Sequence, residues 1–428
     1  MAHSLPLRRL RRSVLVLLFF STVINYVDRQ TLSVLAPELS TRFSWTNEDY
    51  SHIVMAFQVS YALMQFGSGY IIDRLGTRIG VALTMVWWSL AGAAHSLART
   101  GAGFGVCRFL LGMGEAGNWP GAAKATAEWF PPEDRAMATG VWNMGSSTGA
   151  VVAPPLIAWI SFNFGWQSAF LATGMLGFVW VGAWLLVYHR PQHHPRLVQT
   201  DLSSLEASLG SDGGKESSTT GLRYLFGCRE VWGLTIARFV SDPVWWFYVF
   251  WLPKYLADAR GFTLMAIGLT AWVPFLTADL GCLVGGAASS LLIRRGWPVV
   301  RARKAVMLAS ASLMLVAPFA SGVAGHTRML ALISVATFAH QSWASSMLTL
   351  PADLFSGRAV ASVTGIAGSG AGVGGILATF VIGIVVQQGG YAPVFLWAGL
   401  MHPLAALIVL ALIRDRTARV VQPAWGSS

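Results

Sequence analysis

The chain has 428 residues, of which 54% are hydrophobic and only 11% charged, whereas about a quarter of a soluble domain is charged. That balance excludes an ordinary soluble enzyme and points to a protein solvated by lipid. Thirty basic residues stand against nineteen acidic ones, and the placement of that excess reports topology without requiring nucleic acid.

The stretches 79–98, 136–188, 305–327, 329–352 and 359–413 contain no Asp, Glu, Lys or Arg, and a helix that crosses hydrocarbon needs only about 20 residues. The two longest hold two helices each, because Ser161-Phe-Asn-Phe-Gly-Trp166 and Gln387-Gln-Gly-Gly-Tyr391 supply turn chemistry near their middles. In chain order the spacing predicts helices near 13–36, 49–72, 79–98, 103–129, 136–160, 167–188, 230–257, 264–293, 304–324, 328–351, 359–386 and 391–413. The predicted class is an all-α integral membrane protein of twelve transmembrane helices in two six-helix bundles.

Arg8, Arg9, Arg11 and Arg12 before the first apolar run imitate a signal peptide, yet no small-residue cleavage site follows before Asn25, so this segment is expected to remain as the first helix. With the N-terminus inside, twenty-one Lys and Arg fall on the cytoplasmic side and only Arg42, Arg99, Lys254, Arg260 and Arg328 outside. This positive-inside pattern places both termini in the cytoplasm. The polar stretch 189–229 divides residues 1–188, the first bundle, from 230–428, the second, and reads as a flexible cytoplasmic linker. Two bundles that rock about a shared site fit that layout. Cys107, Cys228 and Cys282 are odd in number and widely spaced, as packing residues are.

Between the second and third helices Gly69-Tyr-Ile-Ile-Asp73-Arg74-Leu-Gly76-Thr-Arg78 must turn tightly. Asp73, Arg74 and Arg78 are assigned to gating: Asp73 can accept from arginines or from a neighbouring helix N-terminus and hold the inner side closed. The other reading is a solvated loop pair. The matching place in the second half, Leu291-Leu-Ile-Arg294-Arg295-Gly-Trp297, lacks the acid.

That loop resembles the signature of the major facilitator superfamily, and the similarity extends over essentially the whole chain. Asn25-Tyr-Val-Asp28-Arg29, Arg108-Phe-Leu-Leu-Gly-Met-Gly-Glu115 and Glu128-Trp-Phe-Pro131 resemble its anion:cation symporter branch. Asn143-Met-Gly-Ser146-Ser147, Ala237-Arg238-Phe, Asp242-Pro-Val-Trp245, Ala278-Asp279-Leu-Gly-Cys282 and Phe338-Ala-His340-Gln341 are most similar to bacterial hexuronate transporters. The resemblance implies the major facilitator fold and uptake of glucuronate or galacturonate across a bacterial inner membrane, with an organic anion as cargo and protons, rather than sodium, as the coupling ion. It gives Arg29 and Arg108 to substrate anion and site charge, and brings Tyr61 to the substrate. Relatives for sugar acids of another class carry a glutamine around Ser146, and its absence here favours a hexuronate over an aldonate.

Read without any family, Asp28, Arg29, Arg108, Glu115, Arg238, Asp242 and Asp279 lie where hydrocarbon should be. A charge there costs at least about 2.5–3.5 kcal/mol, so each must face a cavity or a partner. The alternative to a polar pathway is a set of buried ion pairs that fix helix register, and it applies most to the second-bundle group Arg238, Asp242 and Asp279. Arg108 and Glu115, two helical turns apart, share a face of the fourth helix and are expected to meet Asp28 and Arg29 in one interior site. Arginine forks donate to both oxygens of a carboxylate at once and stay charged when desolvated. Asp28 and Glu115 are the proton-coupling candidates, because burial and a nearby arginine act on a carboxyl in opposite senses.

Tyr61, Asn143, Ser146, Ser147, Trp245, His340, Gln341 and Ser345 are candidate substrate contacts, each weighed against a role in helix packing. The glycine run Gly365–Gly375 sits inside an uncharged span without strand or lysine, so it serves helix approach or bending rather than a nucleotide. No catalytic group, metal cluster or cofactor is expected; the partners foreseen are cargo, protons and bilayer, with the monomer as functional unit. Two readings stay open beside hexuronate uptake: a symporter for another organic anion (aldonate, aldarate or aromatic acid), and a transporter-like sensor.

Overall fold

The computed structural model describes residues 5–45, 47–197, 202–203, 222–262, 266, 270, 272–357 and 359–414; most of the predicted linker lies outside them. The described residues form twelve helical rods. The first six are α1 (Leu5–Phe43), α2 (Asn47–Leu75), α3 (Thr77–Ala94), α4 (Gly101–Glu115 continued by Asn118–Trp129), α5 (Pro132–Asn143 continued by Gly145–Phe164) and α6 (Trp166–Val187). The second six are α7 (Arg229–Asp258), α8 (Val273–Arg294), α9 (Val299–Met314 continued by Ala317–Gly322), α10 (His326–Met347 continued by Leu350–Leu354), α11 (Val360–Gly389) and α12 (Ala392–Leu412). Seven of them, α1, α5, α6, α8, α9, α11 and α12, are long and apolar enough to cross a membrane by composition alone. Helix α1 runs well beyond the predicted 13–36, its first turns held by Arg11, which donates to the Trp129 carbonyl at 2.8 Å.

Both predicted hairpins are present. Gly165 (φ 83°) closes α5 and opens α6, and Gly390 (φ 70°) ends α11, a left-handed backbone that glycine adopts without a Cβ clash. Packing repeats itself six helices on: α1 lies on α5 and α6 as α7 lies on α11 and α12, and α2 on α4 as α8 on α10. Helices α3 and α9 follow suit, packing on α4 and α6 and on α10 and α12. Each bundle has two apolar clusters, one around Trp88, Trp129 and Trp184 and one around Phe104 and Trp166 in the first, with counterparts around Trp343 and around Tyr255 and Phe395 in the second. Outward-facing apolar side chains such as Phe162 (91% exposed) and Leu186 (81%) suit contact with acyl chains.

Two ladders join the bundles, α2 against α11 and α5 against α8. Glycines from both partners allow the approach: a Cβ on Gly69 would lie 2.2 Å from the Ala361 carbonyl oxygen, and one on Gly365 2.2 Å from that of Gln65. Gly286 meets the Ala136 carbonyl and Gly140 that of Cys282 in the same way, at 2.8 and 3.0 Å. Small residues at a helix crossing let backbones touch. The cross-bundle contacts found among the described residues run from the end where α1 begins, called the basic end below, to about mid-depth.

Candidate substrate and coupling site

Burial dictates the pairing of charges halfway along α1. Arg29 Nη2 and Nε both donate to Glu115 Oε2, at 3.0 and 3.2 Å, and Nη2 also donates to Asn25 Oδ1 at 3.2 Å. Glu115 is the last residue before α4 breaks its regular turn, and Asn25 Nδ2 reaches its carbonyl at 3.5 Å. The Glu115 side chain is 0% exposed, that of Arg29 16%. Three aromatic rings surround the Arg29 guanidinium: Tyr26 and Phe57 at 5.0 Å and Tyr61 at 4.8 Å. A planar cation over ring faces is favourable, and these rings leave the arginine fork directed at its carboxylate.

Arg108 does other work than the paired-fork expectation gives it. It is buried, donates from Nη2 to the Arg29 carbonyl at 3.0 Å, and lies 5.2 Å from the Phe57 ring. The two arginines thus share one locale with different tasks, one holding the carboxylate and one holding the backbone of its neighbour. Asp28 departs further from the single-site expectation. It precedes Arg29 by one residue, about 100° around the helix, and its Oδ1 would lie 3.8 Å from a Cβ on Gly92 of α3. It is buried within the first bundle, away from the Arg29 fork. Among the described residues both of its oxygens lack a hydrogen-bond partner, as do Glu115 Oε1 and Arg108 Nε and Nη1.

In the second bundle the polar group does not assemble as a register-fixing set. Arg238 and Asp242 pair at 2.8 Å one turn apart on the same helix, which cannot fix register between helices. Asp279 instead accepts from Ser147 at 2.7 Å, and Asn143 donates to Gln341 Oε1 at 3.3 Å; both bonds cross between the bundles. Trp245 stacks on His340 with centroids 5.4 Å apart at 12°. His340 Nδ1 lies 3.0 Å from His402 Nε2, a partner on α12 that sequence reading missed. Ser146 and Ser345 give their hydroxyl protons to carbonyls one turn back, Asn143 and Ser342, at 2.7 and 2.8 Å, so neither joins this constellation.

The loop acid Asp73 makes a latch, but with other partners than the arginines beside it. Oδ1 takes Lys124 Nζ at 2.7 Å and Oδ2 takes the Ser362 backbone N–H at 2.7 Å, in the first turn of α11. A helix N-terminus is a natural seat for a carboxylate. Arg74 is exposed near the Tyr70 ring, and Arg78 donates to the Leu185 carbonyl at 2.5 Å. The acid absent from the second-half loop is supplied by α10: Asp353, 0% exposed, binds Arg135 at 3.0 Å and Arg303 at 2.9 Å. Arg135 also holds the Ala352 carbonyl, Arg303 that of Pro132, and Arg294 pairs with Asp134 at 2.7 Å. Arg135, Arg303 and Lys304, counted above among the charges that set orientation, are therefore buried structural partners. Sequence reading did not single out Lys124 or Asp353, whose partners lie 50 residues or more away.

Comparison with known proteins agrees with this architecture. A family model described as Major Facilitator Superfamily matches residues 18–302. The chain is 32% identical to the hexuronate transporter of Escherichia coli (strain K12) over 96% of both chains. It is 35% identical to the galacturonate transporter of Dickeya chrysanthemi over 72% of this chain and 90% of that one. The solved proton:xylose symporter XylE superposes with a TM-score of 0.73 at 16% identity, covering 96% of this chain and 98% of that one. Helix order, repeat packing, paired charges and these matches lead to one conclusion: the chain belongs to the Major Facilitator Superfamily and is a multi-pass membrane protein.

Proposed function

We propose that this protein is an organic-acid transporter that takes up a hexuronate, glucuronate or galacturonate, together with a proton by alternating access across a bacterial inner membrane. The observation that carries the reading is the Arg29–Glu115 pair: a partly accessible arginine fork whose carboxylate partner is wholly buried. A substrate carboxylate can replace Glu115 on the Nε and Nη2 donors that now converge on Glu115 Oε2, provided Glu115 is neutral when it leaves. Protonation of Glu115 then frees Arg29 for cargo, and the cargo's charge substitutes for the one removed. The relatives named for hexuronate and galacturonate support this class of cargo. Tyr26 and Tyr61 on one side and Trp245 on the other offer flat faces for a sugar ring, with Asn143, Ser147 and Gln341 as hydroxyl partners.

In this reading the basic end faces the cytoplasm, and units 1–188 and 230–428 rock about the site while 189–229 connects them. With the Asp73 and Asp353 latches formed, access is from outside; breaking both opens the inner side. Uptake into proteoliposomes tests the coupling. Glu115→Gln should keep counterflow exchange and lose accumulation driven by an inward proton gradient, whereas full uphill transport by that variant overturns the mechanism. A competition panel of hexuronates, aldonates and aldarates against the same uptake identifies the cargo, and stronger competition by an aldonate rejects the hexuronate assignment.

A further inference from the structure

At the basic end, remote from the transport site, a cavity of about 340 Å³ is bounded by Arg74, Arg78, His189, Arg190 and His193, with Leu75 and Gly76. Among the described residues no acidic side chain lines it. Glu128 sits 3.9 Å from Arg190 but is already the acceptor for Thr77 at 2.7 Å and Tyr188 at 2.5 Å. Among the described residues Arg78 Nε and His189 Nδ1 are buried without a partner. Three guanidinium groups and two imidazoles around one cavity form a receptor for a phosphate group.

What adjoins the cavity distinguishes the source of that phosphate. Leu75 on its rim is 49% exposed, and from Arg78 onward α3 presents Ile79, Leu83, Trp87 and Leu90, each 46–56% exposed, at helical spacing. From residue 79 to 90 this stripe covers about 16 Å at 1.5 Å per residue, close to the roughly 15 Å of one hydrocarbon leaflet. Leu186, close to His189 on the packed neighbour α6, adds to it. A cationic cup above an apolar track of leaflet length fits one molecule that has both features. We propose that this cavity binds the headgroup phosphate of an acidic phospholipid, whose acyl chains lie along the exposed face of α3.

A second cavity of similar size, lined by Arg223, Arg229 and Arg414, includes Glu230 and so offers less net charge; it serves as an internal control. The test is native mass spectrometry of the delipidated full-length protein with equimolar phosphatidylglycerol and phosphatidylcholine, with inorganic phosphate as a separate competitor. Phosphatidylglycerol should be retained several-fold over phosphatidylcholine. Arg190→Ala should lower that retention about fivefold, the equivalent of about 1 kcal/mol per basic residue near a membrane surface. Arg190→Lys should restore most of it, and Arg223→Ala/Arg414→Ala should leave it unchanged. Equal retention of both lipids, or no loss in Arg190→Ala despite an unchanged melting temperature, overturns the proposal. Displacement by inorganic phosphate at equal concentration overturns it in favour of a soluble anion.

Discussion

Arg29 is held by groups that a substrate can replace, and Arg108 by a group that it cannot. The Arg29 fork rests on a carboxylate, an amide oxygen and three rings, whereas the described bond of Arg108 goes to a backbone carbonyl. Arg29→Lys should therefore act on binding: a single ammonium cannot supply both the Nε and the Nη2 donor, and one charge-assisted hydrogen bond is worth roughly 1.5–3 kcal/mol. We expect KM for the proposed hexuronate cargo to rise about tenfold to a hundredfold, with the protein still folded, as measured by initial uptake rates in proteoliposomes. An unchanged KM would remove Arg29 from the cargo site. The charges themselves were readable from sequence, because an ionisable residue inside an apolar run must be compensated. Their division of labour was not, since neighbours such as Asp28 and Arg29 point about 100° apart on a helix and only the packing of α3 and α4 decides which faces which. His402 escaped for the same reason: one histidine in an apolar helix reads as packing until a second is found 3.0 Å away.

In the alternating-access reading, rocking depends on the two ladders. Gly69, Gly365, Gly140 and Gly286 are the small sites where backbones meet across the bundles, and any Cβ there has to push the helices apart near mid-depth or below. Gly365→Leu should therefore destabilise the state seen here while leaving each bundle's own core intact, because the added carbons enter only the α2–α11 crossing. Uphill uptake should fall by more than tenfold with expression and thermal stability in detergent largely retained; wild-type uptake by Gly365→Leu would show that this crossing never closes during transport. The glycine run was recognisable as a close-approach segment. Its partners were not: Gly365 and Gly372 meet α2, while Gly370 and Gly374 turn to Thr235 and Phe239 of α7, an alternation set by tertiary position. Helix number and order were legible because hydrocarbon thickness fixes segment length. The ends were less so, as α1 shows by continuing through residues too polar to mark as membrane.

For the molecule as a whole, transport requires two states of comparable free energy, and the buried latches bias this structure toward one of them. Asp353 bridges Arg135 and Arg303 with no exposed side-chain surface of its own, and removing one partner from a buried ion pair costs roughly 3–5 kcal/mol. A two-state equilibrium moves from 1:99 to 99:1 over about 5.5 kcal/mol, so Asp353→Asn is sufficient to move a substantial part of the population away from closure at the basic end. The chain carries its own reporter of that shift. Cys282 of α8 is 1% exposed, accepts from Asn143 Nδ2 at 3.7 Å, and stands against Gly140 in the α5–α8 ladder, where opening of the basic end uncovers it. In a Cys107→Ser/Cys228→Ser background, a maleimide reaching the basic face should label Cys282 slowly in the otherwise wild-type protein and at least tenfold faster in Asp353→Asn. Asp73→Asn, which weakens the α2–α11 contact at the same end, should act in the same direction. If labelling stays slow in both variants while they remain folded, the latches do not hold the basic end shut, and the alternating exposure of the site has to be driven from the opposite face of the molecule.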